Sequence, residues 1–193
     1  RKATQGVIAL ENTHPFLREL WGYNWIFAHN GNLKGLELDE AAAFQPTGGT
    51  DSERAFCYIL QKLRDEFGST YPGPAKLFES LHRLTLELAP LGEFNFLMSN
   101  GECLFAHAST RLTYIIRKAP FATARLKDQD LTVDFSSLTT AKDRVAIIAT
   151  TPLTDNEEWI TMEAGTLWMF EEGGVAKTSK TLAGPPPNQI VTT

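Results

Sequence analysis

A short apolar run, Trp25 to Ala28, leads directly into polar residues that could do chemistry, His29-Asn30-Gly31-Asn32. The apolar run predicts a buried strand, and the polar residues after it predict a turn. The Asn30 side-chain amide and the Gly31 N–H are two donors that could face a developing negative oxygen, as in an oxyanion hole. The simpler interpretation is a plain turn in which Gly31 adopts a positive φ. These residues alone leave both interpretations open.

Arg1, Thr4 and Asp51 are further polar residues at positions that core packing does not require. A guanidinium group can bind a carboxylate through two parallel hydrogen bonds, and an aspartate can accept hydrogen bonds from an ammonium group. Together with Asn30 and Gly31, they could hold an α-amino acid by both charged ends and present its side-chain carbonyl for attack. The simpler interpretations are a solvated charge for Arg1 and a favourable helix-start charge for Asp51.

Other chemistries lack the residues they need. The four histidines have no paired spacing and no Cys-x-x-Cys occurs, so we predict no metal site. Gly48-Gly49-Thr50 lacks the lysine of a phosphate-binding P-loop, and we predict no cofactor. Cys57 and Cys103 both lie within apolar runs, where burial would raise the pKa of a thiol, so neither is predicted to be a nucleophile.

Composition limits the partners. The 193 residues fit one ordinary domain with a sizeable core. A net charge of −5 and scattered basic residues argue against a nucleic-acid or anionic-membrane partner. No apolar stretch approaches the length of a membrane-spanning helix. Two cysteines without a disulfide framework fit a reducing compartment, so we expect a cytoplasmic location.

The predicted elements form an α+β layered fold. Thr50 and Glu53 have the spacing of a capping box, and apolar residues then recur on one helical face as far as Gly68. A second amphipathic helix is predicted over about 75–88, and each helix should cover a sheet. Residues 11–16 read as a loop, and the tail 182–193 as flexible. Strands are predicted at 7–10, 25–28, 94–98, 103–108, 112–117, 131–135 and 144–150, with 159–162 and 166–170 as a closing pair.

Several segments in this order resemble the class II glutamine amidotransferases. They are Arg1-Lys2-Ala3-Thr4-x-Gly6, Asn12-Thr13-His14-Pro15-Phe16, Phe27-Ala28-His29-Asn30-Gly31-Asn32-Leu33 and Thr50-Asp51-Ser52-Glu53. Within that family, Arg18-Glu19-Leu20-Trp21, Arg117-Lys118-Ala119-Pro120-Phe121 and Pro152-Leu153-Thr154 resemble the stand-alone bacterial YafJ-type proteins. The resemblance covers nearly the whole chain to about Gly174, and residues 1–181 are expected to form the amidotransferase domain.

The resemblance implies an N-terminal nucleophile hydrolase fold, a four-layer αββα sandwich. It also implies that a thiolate attacks the side-chain amide of glutamine and releases ammonia through a γ-glutamyl thioester. By resemblance, Arg1 binds the substrate carboxylate, Asp51 its ammonium group, Asn30 and Gly31 form the oxyanion hole, and Thr4 lines the site. The family's nucleophile is an N-terminal cysteine that nothing here matches. We therefore expect the nucleophile and the first strands to lie outside these residues.

Alternatives to glutamine hydrolysis remain. Arg1 and Asp51 would read only the glutamyl part of a substrate, so a hydrolase of γ-glutamyl peptides or related thiols is one alternative. A non-catalytic module that binds glutamine or regulates a partner is another. No synthase domain and no acceptor for the ammonia are visible in the sequence, so a simple hydrolase is one expectation. A partner protein that accepts ammonia, or a homodimer, is the other.

Overall fold

The structure is a computed structural model that describes residues 7–119, 121, 124–125, 132–133, 140 and 143–184. Arg1 and Thr4 lie outside the described residues. The helices and strands are β1 (Phe16–Leu20), β2 (Tyr23–Leu33), α1 (Asp51–Phe67), α2 (Pro74–Leu88), β3 (Gly92–Ser99), β4 (Cys103–Ala108), β5 (Thr113–Lys118), β6 (Ala124–Arg125), β7 (Thr132–Val133), β8 (Arg144–Ala149), β9 (Ile160–Thr161), β10 (Thr166–Glu171) and β11 (Gly174–Lys180). Short 3₁₀ turns occur at Leu10–Asn12 and Ala89–Leu91.

The fold is mixed α and β, as predicted. Six antiparallel strands form the main sheet in the order β1-β2-β3-β4-β10-β11, and β8-β5-β9 form a second sheet. Alternate residues of β4 show how the layers stack, because side chains of a strand alternate between its faces. Phe105 packs in the core with α1 and α2, whereas Leu104 and Ala106 pack with the second sheet. The described residues thus form three layers, with both α-helices on one face of the main sheet.

Helix α1 begins and ends where its sequence predicts. Thr50 is the N-cap, and its side-chain oxygen accepts a hydrogen bond from the Glu53 N–H at 3.2 Å. Gly68 ends the helix with a φ of 61°, a backbone conformation that favours glycine. A capping box also predicts that the Glu53 side chain accepts a hydrogen bond from the Thr50 N–H, and this part of the prediction is wrong. The Glu53 carboxylate instead accepts hydrogen bonds from the N–H groups of Thr47 and Gly48 and from Arg18.

Helix α2 and the hairpin after it are confirmed. Pro74 stands in the first turn of α2, where its missing N–H costs no helical hydrogen bond. Strands β3 and β4 pair antiparallel around the predicted turn. The Asn100 side-chain oxygen stabilises that turn, because it accepts hydrogen bonds from the N–H groups of Glu102 and Cys103, each at 3.1 Å.

The predicted strand at 7–10 is wrong. Val7, Ile8 and Leu10 are at least 78% exposed, and the chain forms a 3₁₀ turn at Leu10–Asn12 instead. These apolar residues have no described sheet partner, and an isolated run of this kind cannot bury its side chains. Strand β1 was not predicted. It starts at Phe16, the last residue of the predicted loop 11–16, and pairs antiparallel with β2.

Strand β2 is much longer than the predicted strand at 25–28, because it continues through Asn30 and Gly31 to Leu33. The predicted turn at these residues is therefore wrong. Gly31 is not among the glycines with positive φ, so the interpretation of a plain turn is wrong as well. Pairing with β3 keeps this segment extended, with Gly31 opposite Phe94.

The closing pair predicted from 159–162 and 166–170 is also wrong. Strand β9 pairs with β5 in the second sheet, whereas β10 pairs with β4 and with β11, a strand that was not predicted. Gly165, with a φ of 72°, carries the chain from one sheet to the other. Of the predicted strand 131–135, only Thr132–Val133 is described, and it pairs with β6.

The start of the predicted flexible tail is attached to the domain. The Gly184 N–H donates a hydrogen bond to the Ser109 carbonyl at 3.0 Å. Residues 185–193 lie outside the described residues, so the flexibility of the tail beyond Gly184 stays a prediction.

Candidate functional site at the edge of strand β2

One edge of β2 is paired along the first part of the strand and has no described partner strand along the rest. Strand β1 covers this edge up to the pair Phe16 and Phe27. Strand β3 pairs along the other edge as far as Leu33, opposite Gly92. Among the described residues no strand covers the first edge beyond Phe27. Backbone groups that point to this open edge are thus available to other partners.

A hydrogen bond from Leu33 shows which backbone groups point to the open edge. The Leu33 N–H donates to Asp51 Oδ2 at 2.7 Å and so points away from β3. N–H directions alternate along an antiparallel strand, so the Gly31 N–H, two residues earlier, points to the same edge. The adjacent position agrees, because the Asn30 carbonyl points the other way and accepts a hydrogen bond from the side chain of Asn95 on β3. The Gly31 N–H and the Asp51 carboxylate therefore lie on the same edge of the sheet.

The structure explains why position 31 is a glycine. A Cβ atom on Gly31 would lie 1.8 Å from the Glu93 carbonyl oxygen and 2.8 Å from His29 Nε2. Both distances are far below a van der Waals contact. Gly31 is thus required by close approach of the neighbouring strand, and no positive φ is involved.

Asn30 extends its side chain from the same stretch of β2. The side chain is exposed, and its Nδ2 donates to Thr150 Oγ1, directly after β8, at 3.3 Å. The amide carries two protons, and Thr150 accepts one of them. The Asn30 carbonyl accepts a hydrogen bond from the side chain of Asn95 on the neighbouring strand β3. Asn95 is 2% exposed, and its side chain also donates to Thr110 and Glu93.

Asp51 stands in the first turn of α1, where the helix dipole favours a negative charge. Its carboxylate is half-buried; Oδ2 accepts the Leu33 N–H, and Oδ1 lies 3.5 Å from Ser52 Oγ. A carboxylate can accept about four hydrogen bonds, so capacity for an ammonium group remains.

His29 and Ser52 complete this cluster, and neither residue was predicted from the sequence to belong to the site. His29 Nε2 lies 3.1 Å from the Glu93 carbonyl oxygen, and Nδ1 lies 2.8 Å from Ser52 Oγ. A carbonyl can only accept, so Nε2 carries the proton and the Ser52 hydroxyl donates to Nδ1. Burial lowers the pKa of His29, although the Glu93 carbonyl and nearby carboxylates oppose the change. His29 is therefore neutral at neutral pH.

His14 borders the open edge beyond the end of β1. Its ring contacts that of Phe16, with centroids 4.7 Å apart. Burial lowers the pKa of His14, and the negative charge of Asp51 opposes this change. Within the described ranges, no three His, Cys, Asp or Glu residues are grouped so that they could hold a metal ion.

The two cysteines of the sequence are poor nucleophiles. Cys57 is buried in α1 and Cys103 in β4. Burial is the main cause that raises the pKa of the Cys57 thiol to about 11 and that of Cys103 to about 12. Both are therefore protonated at neutral pH, and a thiol reacts as a nucleophile through its thiolate form.

The structure thus brings Gly31 and Asp51 to one edge of β2, whereas the Asn30 side chain extends from the same stretch of β2 to Thr150, directly after β8. Arg1 and Thr4 lie outside the described residues, so their roles stay predictions. No described helix is long and apolar enough to cross a membrane.

Comparison with known proteins identifies the family. The family described as class-II glutamine amidotransferases matches residues 1–189. A Haemophilus influenzae protein named "Putative glutamine amidotransferase" is 51% identical over 173 residues, which cover 90% of this chain and 58% of that protein. Escherichia coli "Putative glutamine amidotransferase YafJ" is 49% identical over 170 residues, which cover 88% of this chain and 67% of that protein.

A solved structure supports the same assignment. The crystal structure of a "predicted glutamine amidotransferase" from Pseudomonas aeruginosa is 47% identical, with a TM-score of 0.77, and the match covers 87% of this chain and 66% of that one. The chain thus spans between about half and two thirds of the length of such relatives. With nearly every residue inside the family match, the chain belongs to the class-II glutamine amidotransferases.

Proposed function

We propose that this chain forms the glutamine-binding part of an amidotransferase site, at which the side-chain amide of glutamine is hydrolysed. The observation that carries the proposal is the hydrogen bond from the Leu33 N–H to Asp51 Oδ2. Because N–H directions alternate along the strand, the Gly31 N–H points to the edge on which the Asp51 carboxylate lies. A cation-binding group and an oxyanion donor at one open edge suit an amino acid with a side-chain carbonyl.

In this proposal each residue has one role. Asp51 accepts hydrogen bonds from the substrate ammonium group. The Gly31 N–H and the Asn30 amide donate to the side-chain carbonyl oxygen as it becomes negative. Arg1 binds the carboxylate and Thr4 lines the site, roles that rest on the family resemblance.

The covalent step needs a thiolate that neither Cys57 nor Cys103 can supply. We propose that a cysteine outside these 193 residues attacks the amide carbon, and the carbonyl oxygen takes up the electron pair. Collapse of this tetrahedral intermediate expels the nitrogen, with a proton, as ammonia and leaves a γ-glutamyl thioester. Water then attacks the thioester, which releases glutamate and regenerates the thiol.

The complete four-layer αββα sandwich, with its first strands outside these residues, is part of the same proposal. Leu17 and Ile26 support it, because they are paired on neighbouring strands and are 54% and 42% exposed. Apolar side chains paired across strands normally lie under another layer.

The substrate is proposed as glutamine, with a γ-glutamyl peptide as the alternative. Asp51 would contact only the glutamyl part that both ligands share, so it would not distinguish them. Titration with glutamine and with a γ-glutamyl peptide compares their affinities directly. Binding of glutamine by the complete protein without any release of ammonia would favour the non-catalytic module. A partner that accepts ammonia, a homodimer and a cytoplasmic location stay predictions from the sequence.

Isothermal titration of the chain with L-glutamine tests the proposal through Asp51→Asn. The amide oxygen of Asn can still accept the Leu33 N–H, so the local structure is kept while the negative charge is lost. A charge-assisted hydrogen bond contributes about 1.5–3 kcal/mol, so we expect the affinity to fall roughly 10- to 100-fold.

The matched control is Asp39→Asn. Asp39 is exposed and also accepts a backbone N–H, that of Ala41, at 2.9 Å. Its loop lies against Gln61, ten residues along α1 from Asp51, or about 15 Å at 1.5 Å per residue. Equal losses of affinity in both variants, or none in Asp51→Asn, would overturn the assignment of the ammonium site.

A further inference from the structure

Two side-chain hydrogen bonds attach the start of α1 to strand β2, on either side of Gly31. Asp51 accepts from the Leu33 N–H at 2.7 Å, and Ser52 donates to His29 Nδ1 at 2.8 Å. Positions 29 and 33 bracket position 31 at equal spacing. The helix that carries the proposed ammonium site is therefore fixed to the strand that carries the proposed oxyanion donor.

His29 extends this connection to the next strand. Its Nε2–H donates to the Glu93 carbonyl of β3, the same oxygen against which Gly31 packs. The imidazole thus connects α1, β2 and β3 next to the Gly31 backbone. It is 7% exposed, and Ser52 is 6% exposed, so water does not compete strongly for these hydrogen bonds.

We propose that Ser52 and His29 are positioning residues that set the distance between the Asp51 carboxylate and the Gly31 N–H. The inference rests on the proposed function, because it assigns a task to residues that support the two proposed contacts. Neither residue touches the substrate in this account. Their effect is to let one ligand use both contacts at once, as catalysis by a preorganised site requires.

The test is the preference of the chain for L-glutamine over L-norvaline in calorimetric titrations. L-Norvaline has the same charged groups and chain length but no carboxamide, so the ratio of the two Kd values isolates the contribution of the side-chain carboxamide. Hydrogen bonds contribute about 0.5–1.5 kcal/mol each, so two to the carbonyl oxygen predict a preference of roughly 5- to 160-fold.

Three variants separate positioning from general stability. Ser52→Ala removes the donor to His29 and should reduce the preference to less than about threefold, because one ligand can no longer reach both contacts well. Ser52→Thr keeps the hydroxyl and should retain the wild-type preference. Ser80→Ala is the matched control, since Ser80 is a helical serine of α2 that is 1% exposed, and it should leave the preference unchanged.

The outcomes distinguish the two proposals. If the wild-type chain prefers glutamine and Ser52→Ala keeps that preference, the positioning role is wrong and the proposed function stands. If the wild-type chain binds neither ligand, the proposed function itself is wrong. If Ser52→Ala binds both ligands more weakly by one factor, Ser52 supports the fold and does not position the two contacts.

A measurement on the wild-type chain covers the case in which Ser52→Ala does not fold. The imidazole ¹⁵N chemical shifts of His29 at neutral pH report which nitrogen carries the proton. We expect a neutral ring with Nε2 protonated and Nδ1 accepting. A proton on Nδ1 would mean that Ser52 is not the donor, and this would overturn the proposed connection.

Discussion

Replacing Gly31 with alanine tests the close approach of β2 and β3 at the site. The new Cβ would lie 1.8 Å from the Glu93 carbonyl oxygen, whereas ordinary contacts begin at 3.4 Å. The two strands would have to separate by about 1.6 Å locally, because the clashing Glu93 oxygen is a backbone atom. The His29 Nε2–H would then lose its acceptor.

The expected destabilisation follows from these two effects. Overpacking a well-packed position costs about 1–3 kcal/mol, and an unmade buried hydrogen bond costs about 1–3 kcal/mol. Taking about 3 kcal/mol in total, and 2–4 °C of Tm per kcal/mol for a domain of this size, we expect Tm to fall by roughly 6–12 °C. Thermal unfolding followed by circular dichroism measures this shift.

Gly49→Ala is the control for Gly31→Ala. Nothing lies within 4 Å of a Cβ at Gly49, so its Tm should stay within about 2 °C of the wild type. If Gly31→Ala were equally harmless, the strands would not approach as closely as described, and the explanation for this glycine would be wrong.

Three further predictions concern groups with altered pKa values. Burial would raise the pKa of Glu53, but backbone N–H groups and Arg18 outweigh it and lower the pKa. The ionised Glu53 therefore contributes stability that is fully present above about pH 4.5 and is lost as the pH falls through the pKa of Glu53 in the folded chain. In Glu53→Gln, the free energy of unfolding from urea curves should fall less steeply with decreasing pH. Burial lowers the pKa of His107 from 6.5 to about 4, so the unfolded chain binds more protons between these values; stability should rise with pH there, and less so in His107→Gln. Cys57 and Cys103 should resist iodoacetamide in the folded chain at neutral pH and react in urea, as mass spectrometry of the alkylated protein would show; rapid labelling of the folded chain would contradict their burial.

Local signals predicted the helices well because the causes are local. Thr50 caps α1 and Gly68 ends it, and each of these effects lies within about one turn of the helix end. The hairpin turn at Asn100 is local in the same sense. These elements could be placed from a few neighbouring residues.

Strand β2 shows where local reasoning fails. Asn30 and Gly31 have turn-like sequence preferences, yet pairing with β3, more than 60 residues away, keeps them extended. Position 31 must be a glycine because the Glu93 carbonyl lies against it, and no local sequence pattern reveals that contact. Val7 and Ile8 show the converse, because an apolar run without a described partner strand did not form a strand.

The residues of the candidate site could be selected from the sequence, but the distances and contacts between them could not. Asn30, Gly31 and Asp51 could be selected because their donors and charges exceed what core packing needs. The connection from His29 to Ser52 spans 23 residues and becomes visible only when α1 lies against β2. A histidine next to a candidate donor, and a serine next to a candidate carboxylate, were the signals that could have suggested it.

The amide resonance of Gly31 in ¹⁵N-labelled protein, followed during titration with L-glutamine, tests whether this edge of β2 binds the side-chain carbonyl. We expect the Gly31 amide proton to move downfield as glutamine binds, because it donates to the side-chain carbonyl oxygen. L-Norvaline, which has no carbonyl in its side chain, should leave this resonance nearly unchanged. Saturable glutamine binding with no change at Gly31, or an equal change with both ligands, would contradict the claim that this edge of β2 holds the oxyanion donor.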